Sequence, residues 1–513
     1  MKNTTNLINR TKQFWEWFSA NEKKLSEILA NPGNENSHEA AIAFISEGVA
    51  LLSEELNFNI GGDHEFTFTI EGNSALFYLL PYVTANLPEK FRGKWKFFPG
   101  MQGDISAGMK FRMFGADVDV EKVMAGAVKD EEGKSADLRF YSEELASLGE
   151  EERYTVFCIL LDLCVGEALA YFCVDKVESA DTAEEDMIPL TELKQWMLDN
   201  LCEDGAVPDV TDRYLIYEME PGGEDPLLRE DTIILTSCCP RILTDYYDNK
   251  NDMYQIFEEF GAKPVFLFYY CDWGDDESRE ETLAERNAMT DMLEEKVLGK
   301  RGNGQEIGMV LGAATGTDRM YIDLLLYDEE AFIKKARKMF AKSPHMIFCK
   351  EFCQEGREYL ITDDSVPGFA DRFDILSEIY AYDGVIRTVD LLPAEKQDFD
   401  MLIIYARALN NSRKPQNLLK SLEILDGIRK KGEKDAIWNW RYGYALYYTG
   451  RIEESVPYLQ KAIKLGDDHP ETAHLLQCAL TGEVPEWDAE ALEDPFPEDS
   501  DMVPDIGRKS VIK

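Results

Sequence analysis

Apolar positions along the chain repeat with two different periods, and the switches between them set the expected order of elements. Residues 11–30 carry Phe14, Trp15, Phe18, Leu25 and Leu29 at helical spacing and stop at Asn31-Pro32-Gly33. A second helix is expected over 38–56. Alternation then predicts a strand over 65–70, Asn73 caps a helix reaching residue 85, and 94–98 is a strand closed by Pro99-Gly100. Residues 109–114 and 137–141 read as strands, 150–165 as a helix through Val156, Leu160, Leu161 and Leu163, and 168–177 as a returning strand. After a loop at 203–212, strands are expected at 214–219 and 232–236, a helix at 253–260 and a buried strand at 264–270. A long helix at 276–298, strands at 308–311 and 319–327, a helix at 329–340 and a strand at 346–352 follow. From 371 onward the pattern is helical, with one hairpin from 399–409 and 418–428 and another from 436–449 and 453–465.

The order β-α-β-β-(β)-α-β in the first part and β-α-β-β-α-β from residue 264 is that of a split-βαβ, ferredoxin-like sandwich. The expected fold class is therefore α+β, with two such domains over residues 1–202 and 203–365. An all-α region over 371–482 and an acidic, proline-containing tail over 483–513 complete the chain. The two helical hairpins begin 37 residues apart, and residues 436–470 resemble the tetratricopeptide repeat, whose period is about 34. Gly443 allows close helix approach, Leu446 and Leu459 fill the hairpin interface, Gly450 makes the turn and Ala462 packs where space is tight. Asn439 stands where the family usually has Trp, and Ser455 where it has Ala. The resemblance implies that Ile437, Trp440, Tyr444, Tyr447 and Tyr448 lie on the face that meets a partner, and aromatics with a polar edge anchor interfaces. The competing expectation is that this face packs on the chain's own second domain.

Two further resemblances concern the other domains. Phe14-Trp15-Glu16-Trp17-Phe18, Asn21-Glu22, Gly166-Glu167 and Ile188-Pro189-Leu190-Thr191-Glu192-Leu193 are similar to a family of uncharacterised bacterial proteins, which implies an α/β domain over about residues 10 to 200 and no assigned activity. The Trp and Phe cluster is expected in the core, because aromatics dominate buried surfaces. Arg286-Asn287, Gly308, Gly312-Ala313-Ala314-Thr315-Gly316, Tyr321-Ile322-Asp323 and Asp328 resemble small domains related to the regulator of ribonuclease activity B. That resemblance implies an acidic protein that restrains a ribonuclease.

Charge narrows the partners. The 513 residues hold 98 acidic and 54 basic side chains, a net charge of −44. Such a surface repels phosphate backbones and anionic headgroups, so direct nucleic-acid and membrane binding are not expected, whereas docking on a basic protein or a peptide segment is. No apolar run has the length of a signal peptide or membrane span, which predicts a cytoplasmic chain. Ten scattered cysteines without a C-x-x-C pair read as reduced, buried thiols.

Candidate chemistry is sparse. His345, Cys349 and Cys353 stand four apart, but on a strand each step spans about 13 Å, too far for one metal. In Gly302-Asn303-Gly304, Ile307 takes the place of the third glycine of a dinucleotide loop and a strand follows, so a hairpin loop is expected. Asp117 with Asp119, Asp275 with Asp276, and Asp363 with Asp364 read as solvated pairs in so acidic a chain. No G-x-S-x-G elbow is present, the histidines (38, 64, 345, 469, 474) lack the flanks of a catalytic base, and Cys158 and Cys271 lie in apolar runs that blunt thiols. The expectation is a non-catalytic protein-binding protein with no cofactor and no metal, a regulator or immunity-type inhibitor of a basic partner such as a nuclease. The alternative is an enzyme whose site is dispersed between the two α/β domains.

Overall fold

Strands and helices alternate through Leu360, and helices follow alone. The computed structural model, described over residues 5–30, 35–61, 64–103, 108–131, 133–202, 205–207, 209–223, 226–272 and 276–482, is mixed α/β with several sheets and a helical C-terminal region. The helix stop at Asn31-Pro32-Gly33, Glu203 at the expected boundary, Asp275 and the tail from Glu483 lie outside the described residues.

In chain order, α1 (Leu7–Ala30) and α2 (Glu35–Val49) precede β1 (Asn57–Gly61), β2 (Glu65–Thr69), α3 (Leu76–Ala85) and β3 (Lys96–Phe98). Next come β4 (Lys110–Met113), β5 (Ala116–Asp119), β6 (Met124–Lys129), β7 (Ala136–Tyr141), α4 (Glu150–Val165), α5 (Glu167–Cys173), β8 (Val174–Ser179), β9 (Ile188–Pro189) and α6 (Leu190–Leu201). These strands form a three-stranded sheet β1-β2-β3, a β4-β5 hairpin and a four-stranded sheet β8-β7-β6-β9.

The single ferredoxin-like sandwich expected over 1–202 is thus replaced by separate sheets. Two local features divert the chain. Residues 57–61, unanticipated as a strand, pair with β2 as a hairpin, while β3 joins its other edge in parallel through α3. Of the strand expected over 168–177, residues 168–173 fall instead in α5, because Glu-Ala-Leu-Ala favours helix, and 174–177 fall in β8. Gly166, at φ 91°, separates α4 from α5 and sits against Met101 O, where an added Cβ would approach to 2.8 Å. The next residue, Glu167, is buried, and its carboxylate accepts from Ile70 N (2.7 Å), Glu71 N (2.9 Å) and Met101 N (2.8 Å). One carboxylate therefore ties the first sheet to the four-stranded unit.

The aromatic motif of α1 is core. Phe14 and Phe18 are fully buried, and both pack on Phe97. Glu22 accepts from Trp95 Nε1 (2.9 Å), Lys94 Nζ (2.5 Å) and Ser26 Oγ (2.9 Å). Burial alone would raise its pKa, but these donors hold it down at about 2.

The middle of the chain supplies β10 (Leu215–Glu218), β11 (Thr232–Ser237), α7 (Pro240–Tyr247), α8 (Asp252–Glu259), β12 (Lys263–Tyr270), α9 (Asp276–Met292), β13 (Gly308–Gly316), β14 (Arg319–Leu326), α10 (Glu329–Phe340), β15 (Phe348–Glu351) and β16 (Glu358–Leu360). Its seven strands order as β10-β11-β13-β14-β12-β15-β16, every neighbour antiparallel. From β12 onward the order β-α-β-β-α-β is observed as expected. The two faces of β12 serve different cores: Val265, Leu267 and Tyr269 face the cluster under α9 and α10, and Phe266, Phe268 and Tyr270 face the larger one.

That larger cluster runs from Leu7 to Leu409 and takes in α1, α3, the seven-stranded sheet and the first C-terminal helices. At its centre, α3 is buried on most sides. Tyr78 donates to Cys238 O (2.6 Å), Tyr327 donates to Tyr78 O (2.9 Å), and Trp15 Nε1 donates to Val83 O (2.9 Å).

The glycine-rich and Tyr-Ile-Asp motifs of the middle region are also structural. Gly312 lies against Thr236 O, where an added Cβ would come to 2.0 Å. Asp323 takes a bidentate pair from buried Arg229 (2.6 and 3.1 Å), whose guanidinium also lies about 5 Å from the rings of Phe266, Tyr321 and Phe352. Removing one partner leaves a buried charge uncompensated, so Asp323→Ala is expected to cost about 3–5 kcal/mol. The double variant Arg229→Met/Asp323→Leu should recover most of the melting temperature lost by the single variant, read by thermal unfolding in circular dichroism.

Candidate functional site

The C-terminal region comprises α11 (Asp371–Glu378), α12 (Tyr382–Leu391), α13 (Phe399–Asn411), α14 (Pro415–Gly427), α15 (Arg429–Gly432), α16 (Ala436–Tyr448), α17 (Ile452–Lys464) and α18 (Pro470–Thr481). Asp398 and Asp435 start α13 and α16 by accepting from Met401 N (2.9 Å) and Trp438 N (2.8 Å). Gly443 lets α17 approach α16, since an added Cβ would meet Leu459 Cδ2 at 2.8 Å. Leu446, Leu459 and Ala462 are buried between them. Asn439 donates to Asp435 O (2.6 Å) and to Gly432 O and Glu433 O (3.3 Å each), tying the start of α16 to the preceding turn. Ser455 is buried and returns its hydroxyl to Ile452 O (2.7 Å). Trp438 is fully buried, stacks on Tyr442 and donates to Leu425 O (3.0 Å).

The five expected partner-facing residues divide. Ile437 is 53% exposed and Tyr448 half-buried, whereas Trp440, Tyr444 and Tyr447 are buried. Tyr444 and Tyr448 have ring centroids 4.5 Å apart, and Trp440 packs on His469 at 5.3 Å. The aromatic rows are thus closed by neighbouring helices of the same region, with the start of α18 against Trp440.

Arg441 is the residue that sequence reasoning missed. It sits in the middle of the aromatic run, only 7% exposed, with its guanidinium 3.7 Å from the Trp440 ring centroid. Burial first, and then Arg407 beside it, lowers its pKa to about 9. Its presence in Trp-Asn-Trp-Arg-Tyr was the available signal: a lone cation in an otherwise uncharged helix.

Among the clefts elsewhere in the described residues, two gather several carboxylates. One, about 800 Å³, runs between the N-terminal segment and the middle region and is lined by Arg10, Lys263 and carboxylates including Glu54, Glu55, Glu258 and Glu329. The other, about 560 Å³, joins the first sheet to α4, α5 and β8 and holds Phe77, Tyr154, Cys158, Asp162, Glu167 and Tyr171. Burial, and then the neighbouring Glu167, raises Asp162 to about 6. Burial also pushes the Cys158 and Cys271 thiols up. His345 is bound to Glu285 (3.0 Å), and Cys349 and Cys353 are buried. Gly302 and Gly304 occupy a loop in which Gly302 N donates to Glu306 Oε1 (2.9 Å).

Trp438→Ala is expected to destabilise the helical region by about 3–5 kcal/mol, while Ile437→Ala stays within about 0.5 kcal/mol, both read by urea unfolding. Because the folded state holds the Asp162 proton more tightly than the unfolded chain, stability from this group is present below pH 4 and lost as pH rises through 6. The melting-temperature difference between Asp162→Asn and wild type should therefore rise from pH 4 to pH 7. Comparison with protein-family models, with curated proteins and with solved structures finds no match to this chain.

Proposed function

We propose that the chain is a non-catalytic, cytoplasmic protein-binding protein, a regulator or immunity-type inhibitor that docks on a basic partner such as a nuclease. The observation that carries this reading is the net charge of −44. Exposed carboxylates in that excess attract a cationic surface and steer its approach. The C-terminal helices are read as adding a local contact through Ile437 and Tyr448, the two of the five expected residues that are not buried. The middle sheet is read as a ferredoxin-like sandwich with added edge strands, on the order β13-β14-β12-β15 and its antiparallel pairing. It keeps its resemblance to domains related to the regulator of ribonuclease activity B. The hairpins α13–α14 and α16–α17 are read as tetratricopeptide-like, on their spacing and on the packing of Gly443. The N-terminal part is read with the family that carries the Phe-Trp-x-Trp-Phe motif.

A second reading, an enzyme, is favoured by one observation: Asp162, whose carboxyl is raised to about 6 by burial and then by Glu167, lines an aromatic-walled cleft.

The full chain, immobilised and exposed to a lysate of the source organism, is expected to retain a discrete basic protein at low salt and to release it at high salt, as screening shortens the reach of surface charge. Retention indifferent to salt would overturn the electrostatic part of the reading.

A further inference from the structure

The seven-stranded sheet has two outer edges, and they differ. At β16 the edge is covered: its residues are buried or half-buried, Leu360 shares the large core with Val385 and Val389 of α12, and Arg387 of α12 donates to Glu358 (2.7 Å). At β10 the edge is open. Met219 N donates to Ile233 O (2.8 Å), and inward and outward groups alternate along an antiparallel ladder. The N–H and C=O of Leu215 and Tyr217 therefore face β11, while those of Ile216 and Glu218 point away from the sheet. Among the described residues, these outward groups have no hydrogen-bond partner.

The side chains on this edge are also uncovered. Ile216 is 63% exposed and Leu215 43%, and Ile233 on β11 is exposed as well. An edge of this kind is a template for a further strand, and proteins that must not use it place a lysine, a proline or a bulge there. β10, Leu-Ile-Tyr-Glu in unbroken register, has none of the three.

Charge decides the occupant. Glu218 and Glu220 are exposed, and neither has an ion-pair partner among the described residues. With Ile216 they share one face of the strand, whereas Tyr217 and Met219 pack on the large core. A second copy of this chain would bring the same carboxylates and a like net charge of −44 to the edge, so self-pairing is opposed. A strand with basic side chains opposite Glu218 and Glu220 and an apolar one opposite Ile216 is matched instead. In antiparallel addition that strand runs from its basic end to its apolar end.

We propose that an extended segment of the basic partner adds antiparallel to β10, completing the open edge of the sheet, with its basic residues opposite Glu218 and Glu220. This rests on the protein-binding reading above and names the bonds by which the partner is held. The outward N–H and C=O groups of Ile216 and Glu218 bind its backbone, and the side chains set its register.

The test uses the full chain and a dye-labelled, acetylated and amidated peptide, Lys-Val-Lys-Val-Ile-Thr. Binding is read by fluorescence anisotropy, and hydrogen–deuterium exchange over residues 212–221 is followed in parallel. The expected result is saturable binding with slowed exchange in that segment, weakened about tenfold by Ile216→Lys and by Glu218→Lys. Both side chains are exposed, so both variants keep the wild-type melting temperature. A peptide N-methylated at its isoleucine, which removes a donor to the edge, is expected to bind as weakly. No saturable binding, equal binding of the N-methylated peptide, or binding without slowed exchange overturns strand addition. Equal binding of the peptide with both lysines replaced by glutamate overturns the choice of a basic occupant. A dimer in sedimentation that Ile216→Lys abolishes assigns the edge to a second copy and overturns that choice too. If a basic protein is retained from lysate equally by wild type and Ile216→Lys/Glu218→Lys while the peptide fails to bind, the edge site falls and the protein-binding reading stands. Peptide binding as expected with no basic protein retained supports the edge and overturns that reading.

Discussion

The burial of α3 is the constraint on which the other contacts depend. Leu-Phe-Tyr-Leu-Leu-Pro-Tyr-Val offers no polar side, so the helix needs neighbours all round. Trp15 bonds one end of it, the Tyr78 hydroxyl reaches Cys238 after β11, Tyr327 reaches back from the end of β14, and Phe77 packs on Tyr171 and Phe172 of α5. Helix α1, the four-stranded unit and the seven-stranded sheet are held in one arrangement because each covers part of the same helix.

Much of the secondary structure was legible, and the assembly of the N-terminal strands was not. Helices 150–165 and 329–340 have the expected bounds, because apolar spacing and acidic first turns are local signals. The chain order of elements from β12 to β15 was legible for a related reason, β12 being almost wholly apolar, whereas β16 was not anticipated. In the first part, β1, β5 and β6 mix polar and small residues, Asn57-Phe58-Asn59 and Met124-Ala125-Gly126 among them, and their pairing is decided by distant partners. The helix at 240–247 was hidden because Pro240 reads as a break, whereas at the first helical turn proline is favoured.

The candidate site shows the same division. The aromatic stripe of α16 could be seen in the chain, but which of its members stay accessible depends on where α18 folds, and that helix closes over Trp440 through His469. Arg441 was visible as the lone charge of an otherwise uncharged helix, but its burial depends on packing by distant helices and could not be read from the chain. Electrostatics then separates two scales. Surface carboxylates act collectively and are screened, while a buried guanidinium acts alone and at short range.

The bonds around α3 also set a timetable. Tyr78 meets Cys238 across 160 residues, and Tyr327 meets Tyr78 across 249. A ribosome adding about 5–20 residues per second leaves that apolar helix waiting on the order of tens of seconds for the strands that cover it. Until β14 has emerged, the nascent N-terminal segment carries a hydrophobic helix that lacks part of its cover, a surface prone to association with other chains.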